Sequence, residues 1–284
     1  MSRRKREVDI PPLATIWQLP GDLWEKVRVV LAECDPAKPR GRRRIDQRRA
    51  LDAIVYRMRS GVQWNHLPRE FGDDSSIHRT LQRWVQLGVF DRIWAVLVAD
   101  MDGLGEVAWE WQAADTSMGK ARLGGDQIGP NPTDRGKNGV KRSLLTDAEG
   151  GPLAVVVSGA NVHDQKLLAA TLDAVVVERP EPTEDEPQHL CLDKGYDSSA
   201  VRQAAMDRHY EPHIRRIGEE KLDENAEKKH PARRWVVERT LAWLSKCRAI
   251  LVRYDKKAQN YLALLKLACA LIWYRKSYVL CQLR

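Results

Sequence analysis

The hydrophobic pattern changes period near residue 105, and few architectures are open to a chain built that way. Up to about residue 100 the apolar residues recur at helical spacing. Beyond 105, short strand-like segments alternate with helical ones. Helices followed by mixed strands and helices predict an all-α unit over 1–104 and an α/β unit over 105–284. A length of 284 residues, 43% of them hydrophobic, supports a real core in each. Cys34, Cys191, Cys247, Cys269 and Cys281 are odd in number and scattered, matching neither a disulfide framework nor a CxxC zinc site. No apolar run approaches the roughly 18–20 residues that cross a bilayer. The basic start, Met1-Ser-Arg-Arg-Lys-Arg6, leads into no apolar segment, so a soluble intracellular protein without membrane contact is expected.

In the front unit, residues 22–32 predict an amphipathic helix with Leu23, Val27, Val30 and Leu31 on one side. Arg40-Gly-Arg-Arg-Arg-Ile-Asp-Gln-Arg-Arg49 then places six arginines in ten positions. Leu51, Ile54, Val55 and Met58 continue as a helix that Gly61 stops, and 61–72 reads as a short apolar turn unit. A third helix, capped by Asp74 or Ser75, runs through His78, Leu81, Trp84 and Val85 to Gly88, with Ser76, His78, Arg79, Gln82 and Arg83 on its polar side. Residues 1–100 carry 19 Lys and Arg against 13 Asp and Glu, most of the chain's net +8. Basic charge on short helices suits a helix-turn-helix reader of nucleic acid, with Arg42, Arg43, Arg44, Arg79 and Arg83 as contacts. The plainer alternative is a helical bundle whose charges are only solvated.

In the second unit, Val107, Trp109 and Trp111 alternate with Ala108, Glu110 and Gln112, predicting a strand that ends at Asp115. A Gly/Pro/Asn-rich loop fills 124–139. Strands over 140–146 and 152–157 are joined by a hairpin turn, Asp147-Ala-Glu-Gly-Gly151. Then come a helix over 164–177, an acidic linker over 178–187, a short buried strand over 189–193, a helix over 198–208 and a strand over 211–217. A long helix over 232–248 and an apolar one over 260–275, serving as core or dimer contact, complete the order β-β-β-α-β-α-β-α-α.

Two acids fall at predicted strand ends, Asp115 and Asp193, where an α/β fold gathers side chains around a ligand. A third, Glu238, lies within the helix over 232–248. Between Arg233 and Lys257 there are eight Lys and Arg but only two acids, Glu238 and Asp255. Flanked by Trp235, Val237 and Leu241, Glu238 is expected to lean toward packed protein. It would then need a counter-charge, from Arg234 one turn away or from a metal. Each acid alone is more often structural than catalytic. Carboxylates held close together repel, and a shared divalent cation relieves that. Three acids on the first strand, the fourth strand and the helix after the fifth form the arrangement of ribonuclease H-like phosphoryl transferases. The loop Arg135-Gly-Lys-Asn-Gly139 lacks the GxxxxGK and the following Ser/Thr of a nucleotide P-loop, so no nucleotide cofactor is expected. Asp134, Arg135, Lys137 and Lys141 read instead as a DNA-facing loop or a solvated hairpin. His163-Asp164 reads as a helix cap.

The sequence resembles the transposases of bacterial insertion sequences of the IS5 type, within the DDE transposases that also include the IS4 type. In the front part the resemblance rests on Gly61-Val-Gln-Trp64, Leu67-Pro68, Phe71-Gly72, Ser75-Ser76 and Arg83-Trp84. In the middle it rests on 129–141, Asp147-Ala-Glu-Gly-Gly-Pro-Leu153 and Asn161-Val-His-Asp164. The most specific blocks are Leu192-Asp-Lys-Gly-Tyr-Asp-Ser198 and Trp235-Val-Val-Glu-Arg-Thr-Leu-Ala-Trp243. Carried over by motif, the family's acids fall on Asp115, Asp193 and Glu238, at spacings of 78 and 45 residues. The second gap leaves no room for a large β insertion. The IS4-like signature has a Tyr, an Arg four residues before the Glu and a Lys seven after it. Arg234 fits, Pro231 replaces the Tyr, and Ser245 holds the Lys position with Lys246 next to it.

The resemblance implies a ribonuclease H-like mixed sheet flanked by helices behind a helix-turn-helix-like front. It implies two Mg²⁺ ions, or Mn²⁺, on Asp115, Asp193 and Glu238, which cut 3′ ends at terminal inverted repeats and join them to target DNA. Arg234, Arg239 and Lys246 would neutralise phosphates, making binding salt-dependent. A homodimer on DNA and a cytoplasmic, nucleoid-associated location follow from the same resemblance. Two rivals are a metal-dependent nuclease that cuts without joining and a domesticated DNA-binding protein whose acids are idle.

Overall fold

In the computed structural model, which describes residues 14–37, 40–41, 43–214 and 234–283, a seven-stranded sheet is built around one long strand, β1 (Trp111–Ala121). The other strands are β2 (Gly129–Pro130), β3 (Asn138–Asp147), β4 (Pro152–Gly159), β5 (His189–Leu192), β6 (Glu211–Ile214) and β7 (Val252–Arg253). β3 runs antiparallel to β1 and β4, whereas β5 is parallel to β1 and β6 to β5. Across the sheet the long strands read β4-β3-β1-β5-β6. That order, with a single antiparallel strand beside the first, is the ribonuclease H-like arrangement anticipated from the sequence. Arg42, the expected end of β6 through Ile217 and the expected helix start at Ala232 lie outside the described residues.

The first strand departs from the prediction in a way that matters for the site. Residues 109–110 form a turn, in which Trp109 Nε1 donates to Asp102 at 2.6 Å. The ladders begin only at Trp111 and Gln112, opposite His189 and Asp147. They then continue past Asp115 because residues 116–120 have partners in β3. Asp115 therefore sits in the middle of a central strand, not at its end. The hairpin after β3 is as expected. Buried Asp147 closes it by accepting from the amides of Gly151 at 2.6 Å and Glu149 at 3.0 Å.

Helices α5 (Gln165–Asp173), α6 (Ser199–Met206), α7 (Trp235–Ser245), α8 (Arg248–Leu251) and α9 (Ala258–Leu283) accompany the sheet. In α9 Tyr261, Leu264, Leu265, Leu267, Ala268, Leu271 and Trp273 are buried, so this helix is core, as an apolar pattern on nearly all sides requires. The front consists of α1 (Gly21–Cys34), α2 (Gln47–Ser60), α3 (Asp74–Gln86) and α4 (Val89–Asp102). Helix α4, unassigned from the sequence, packs along α9, and Trp94 and Trp273 both donate to the Pro152 carbonyl, at 3.2 and 2.6 Å. Helix α3 is capped one residue earlier than expected, by Asp73, which accepts from the Ser76 amide at 2.8 Å. Two 3-10 turns occupy the connection between α2 and α3, while only Leu87 and Gly88 separate α3 from α4. The short turn thus lies after α3, whereas a helix-turn-helix reader has it between its first helix and the recognition helix.

A buried ion pair ties front to back. Arg57 of α2 reaches Asp255, just beyond β7, at 3.1 Å, with the two side chains only 5% and 4% exposed. The Arg57 guanidinium also lies over Trp64, 4.4 Å from the ring centroid. Removing one member of such a pair leaves the other charge uncompensated and costs about 3–5 kcal/mol, whereas an apolar pair of similar volume is often tolerated. Asp255→Ala is accordingly expected to destabilise the chain by that amount in urea unfolding followed by tryptophan fluorescence. The double change Arg57→Met with Asp255→Leu is expected to regain most of it. A loss under about 1 kcal/mol for the single variant would mean that the pair does not hold front to back.

Candidate active site

The register of two parallel strands brings the first two acids together. Trp111 pairs with His189 and Ala113 with Cys191, and Asp115 and Asp193 each follow two residues after that last pair, on the same side of the ladder's end. Asp115 accepts from the Thr116 amide at 2.7 Å. Asp193 leaves the sheet at the end of β5 and caps the 3-10 turn Lys194–Tyr196, accepting from the Lys194 amide at 2.7 Å.

Glu238 arrives on α7. That helix starts at Trp235, later than predicted, so Glu238 occupies its first turn with a side chain 48% exposed, and Trp235 beside it is exposed too. The expectation of a packed, mid-helix Glu238 is thereby corrected. Helix α7 docks on the β3–β4 hairpin. Thr240 Oγ1 donates to the Gly150 carbonyl at 2.8 Å and Arg239 to the Glu149 carbonyl at 2.7 Å. Gly150 has φ +86°, and a Cβ there would come within 2.8 Å of Thr240 Oγ1, so this contact requires glycine.

The three acids meet at one guanidinium. Arg234 Nη1 lies 2.8 Å from Glu238, 3.7 Å from Asp115 and 3.9 Å from Asp193. The arginine one turn before Glu238, weighed from the sequence as a counter-charge, is in place. Asp115 is the most enclosed acid, 17% exposed against 41% for Asp193. Burial drives its carboxyl from the ordinary 3.8 up to about 6. The Thr116 amide and Arg234 oppose the rise, and the charges of Glu238 and Asp193 add to it. Beneath lies Tyr196, buried, its hydroxyl without a hydrogen-bond partner among the described residues. Burial first, and then the charges of Asp164, Asp115 and Asp193, push its ionisation far up. Nothing in the chain's pattern singles out Tyr196 beyond its place in the 192–198 block. A pocket of carboxylate oxygens that already holds an organic cation has the hard donor set that suits Mg²⁺ or Mn²⁺.

The basic residues named from the sequence divide into two groups. Arg43, Arg79, Arg135, Lys137 and Lys246 are exposed. The other described ones are engaged within the fold. Arg83 forks onto buried Asp35, with contacts from 2.8 to 3.2 Å, and Arg44 pairs with the same carboxylate. Arg239 lies between Trp235 and Trp243, 4.7 Å from each ring centroid. Lys141 is a correction to the DNA-facing loop: its ammonium is buried, paired with Asp164 and bonded to the Val162 carbonyl at 2.6 Å. Asp164 accordingly serves as that partner and makes no side-chain cap on α5. On α3, His78 stacks on Trp64 and Gln82 bonds to His78, so that face meets protein more than solvent.

Because the fold favours the neutral form of Asp115, the stability this group contributes is greatest below its unfolded value near 3.8. It falls as pH rises through about 6. The interval corresponds to at most about 3 kcal/mol. Asp115→Asn is therefore expected to be more stable than the wild type at pH 7.5 without divalent ions, by up to that amount, and equal to it near pH 4. Thermal unfolding at the two pH values reads the difference, and a variant less stable at pH 7.5 would contradict the assignment of burial as the cause.

Comparison with known proteins bears on this geometry. Residues 110–273 match the family model described as "Transposase DDE domain", and residues 19–94 match "Putative transposase of IS4/5 family". The "Putative transposase for insertion sequence element IS402" of Burkholderia cepacia is 41% identical over 154 residues, which are 53% of this chain and 70% of that protein. The "Insertion element IS402 uncharacterized 16.2 kDa protein" of the same organism is 30% identical over 118 residues, 39% of this chain and 78% of the other. Among solved structures, the "Mos1 transposase paired-end complex with left transposon end" overlaps 76% of this chain and 82% of its own at 13% identity. Its TM-score of 0.27 is too low to carry weight. On the match that spans the sheet, α7 and most of α9, and on the extent of the IS402 relationship, the chain belongs to the DDE transposases of insertion sequences.

Proposed function

We propose that this DNA transposase cuts the 3′ ends of its element at terminal inverted repeats and joins them to target DNA, with Asp115, Asp193 and Glu238 as the catalytic acids. The observation that carries the reading is their convergence on Arg234 from a central strand, a neighbouring strand end and a docked helix. These three residues would hold two Mg²⁺ or Mn²⁺ ions. When bound, such ions activate an attacking oxygen and stabilise the leaving one. Asp115, fixed in the sheet, sets the position of the site. Asp193 and Glu238, more exposed, face the incoming backbone. Arg234, which holds the carboxylates together in the absence of such ions, would then be free to turn its guanidinium to a phosphate oxygen, for which its fork is suited.

The front domain over 1–104 reads the element end, and the domain over 105–284 carries the chemistry. Exposed Arg43, Arg79, Arg135, Lys137 and Lys246 neutralise phosphates, and each such contact steepens the loss of affinity with salt. Transesterification exchanges one phosphodiester for another, so no nucleotide cofactor is needed. Two ends must be held at once, which calls for a homodimer on DNA. A substrate of chromosomal DNA puts the protein in the bacterial cytoplasm at the nucleoid. Among the described residues no helix is long and apolar enough to cross a membrane.

The test combines the purified protein, Mg²⁺ or Mn²⁺, a labelled duplex bearing the element's end and a target plasmid, with Asp193→Asn in parallel. Metal-dependent nicking and a joined product are expected, both reduced at least about 100-fold in the variant. Nicking without joining would make the chain a nuclease. Salt-sensitive binding without cleavage by either protein would make it a DNA-binding protein with idle acids.

A further inference from the structure

A second cluster of ligand-type side chains lies at the other end of the parallel strands. His189 opens β5 and Glu211 opens β6, directly paired in register, and His213 follows on the same face of β6 two residues later. His189 Nδ1 is 3.0 Å from a Glu211 carboxylate oxygen and 3.0 Å from His213 Nε2. One ligand atom from each of the three lies within 4.8 Å of the others. Both imidazoles lean on Trp111, with ring centroids 4.2 Å away for His189 and 4.9 Å for His213. The aromatic wall and the strand register hold the donors in place before any ligand arrives. The cluster is separate from the acids, since His189 and Asp193 are four strand residues apart, about 13 Å along the chain.

We propose that His189, Glu211 and His213 bind a divalent transition ion of the Zn²⁺ class. Two imidazoles and a carboxylate form a donor set that such ions prefer and Mg²⁺ does not. With metal–nitrogen bonds of about 2.0–2.1 Å, a tetrahedral ion sets its ligand atoms about 3.3 Å apart. Two of the separations, observed at 3.0 Å, need to open by about 0.3 Å, and the third, between Glu211 and His213, lies within 4.8 Å and closes by rotation of the exposed Glu211 side chain. The hydrogen bond between the two rings is replaced by two metal bonds, and the proton it carried moves through solvent to the other nitrogen of the same ring, so that both imidazoles stay neutral. Three protein ligands leave a fourth position for water or another group. The bound ion clips the start of β5 to β6, and so braces the strand that carries Asp193 from its far end.

The site does not depend on the transposition chemistry, and its test is independent of activity. The untagged full-length protein in excess Mg²⁺, which cannot compete for imidazole, is titrated with Co²⁺ and read by visible d–d absorption. Zn²⁺ retained after gel filtration is then measured by mass spectrometry. A saturable Co²⁺ spectrum that Zn²⁺ abolishes is expected. His213→Gln should weaken it by more than about tenfold, the scale on which even an outer-shell partner matters. Glu211→Gln, at a side chain 63% exposed, should weaken it without disturbing the fold, as checked by circular dichroism. Asp193→Asn should leave it unchanged. No Co²⁺ absorption, or a spectrum lost in Asp193→Asn and kept in His213→Gln, would overturn the proposal.

Discussion

Three carboxylates in one place repel, and the structure around them is arranged to bear that cost. Two unit charges of one sign about 4 Å apart repel by about 4 kcal/mol at an effective dielectric constant near 20, and by less where they are as exposed as Asp193 and Glu238. Among the described residues Arg234 is the cation that pairs with the three carboxylates, closely with Glu238 and by longer contacts with the two aspartates. The remainder of the repulsion, added to the larger cost of burial, surfaces in Asp115, whose carboxyl is driven up to about 6. A mobile loop would relax such strain by swinging the acids apart. Here Asp115 is paired with Leu144 of β3 and follows directly on the ladder to β5, which runs up to Ala113, and α7 is pinned to the hairpin at Gly150.

That fixation extends beyond the sheet. The Pro152 carbonyl, at the start of β4, receives indole donors from α4 in the front and α9 in the back. Arg57 and Asp255 add a buried pair between α2 and the segment after β7. From there buried Arg253 donates to the carbonyls of Asp126, Asp255 and Lys256, holding the loop that follows β1. Front helices and sheet therefore share one continuous apolar cluster. A DNA end held by the front would be held in a fixed relation to the acids, and a reaction that must aim one oxygen at one phosphorus needs that.

Much of this was legible in the sequence, because strand and helix periods in the second half are clear and the three acids fall in recognisable blocks. What escaped has physical causes. The start of β1 was misplaced because Val107, Trp109 and Trp111 alternate as a strand would, although partner strands begin only at 111–112. Alternation reports burial on one side, and pairing needs a partner. Helix α4 was missed though Phe90, Ile93, Trp94, Leu97, Val98 and Met101 recur at helical spacing. Lys141 and Arg83 were read as phosphate contacts because a sequence lists charges and does not show which acid has claimed them. Asp164 and Asp35, at separations of 23 and 48 residues, are such claims. The His189–Glu211–His213 cluster escaped for the same reason, since only the register of β5 against β6 assembles it.

The position of Arg234 bears on how easily the site changes occupant. Its bond to Glu238 is an i,i+4 pair on a half-exposed helix turn, worth about 0.3–0.5 kcal/mol. The contacts to Asp115 and Asp193, at 3.7 and 3.9 Å, lie beyond ordinary hydrogen-bond length. A guanidinium held that loosely relieves the acids without saturating them, and so their remaining repulsion favours any cation that carries two charges and binds oxygen directly. Had the arginine formed close bidentate bonds to the buried Asp115, displacing it would have cost several kcal/mol, and the acids would have been locked as a salt-bridge network. On the function proposed, the geometry is that of a placeholder: strong enough to let three acids gather beside the central strand, and weak enough to give way to a divalent cation.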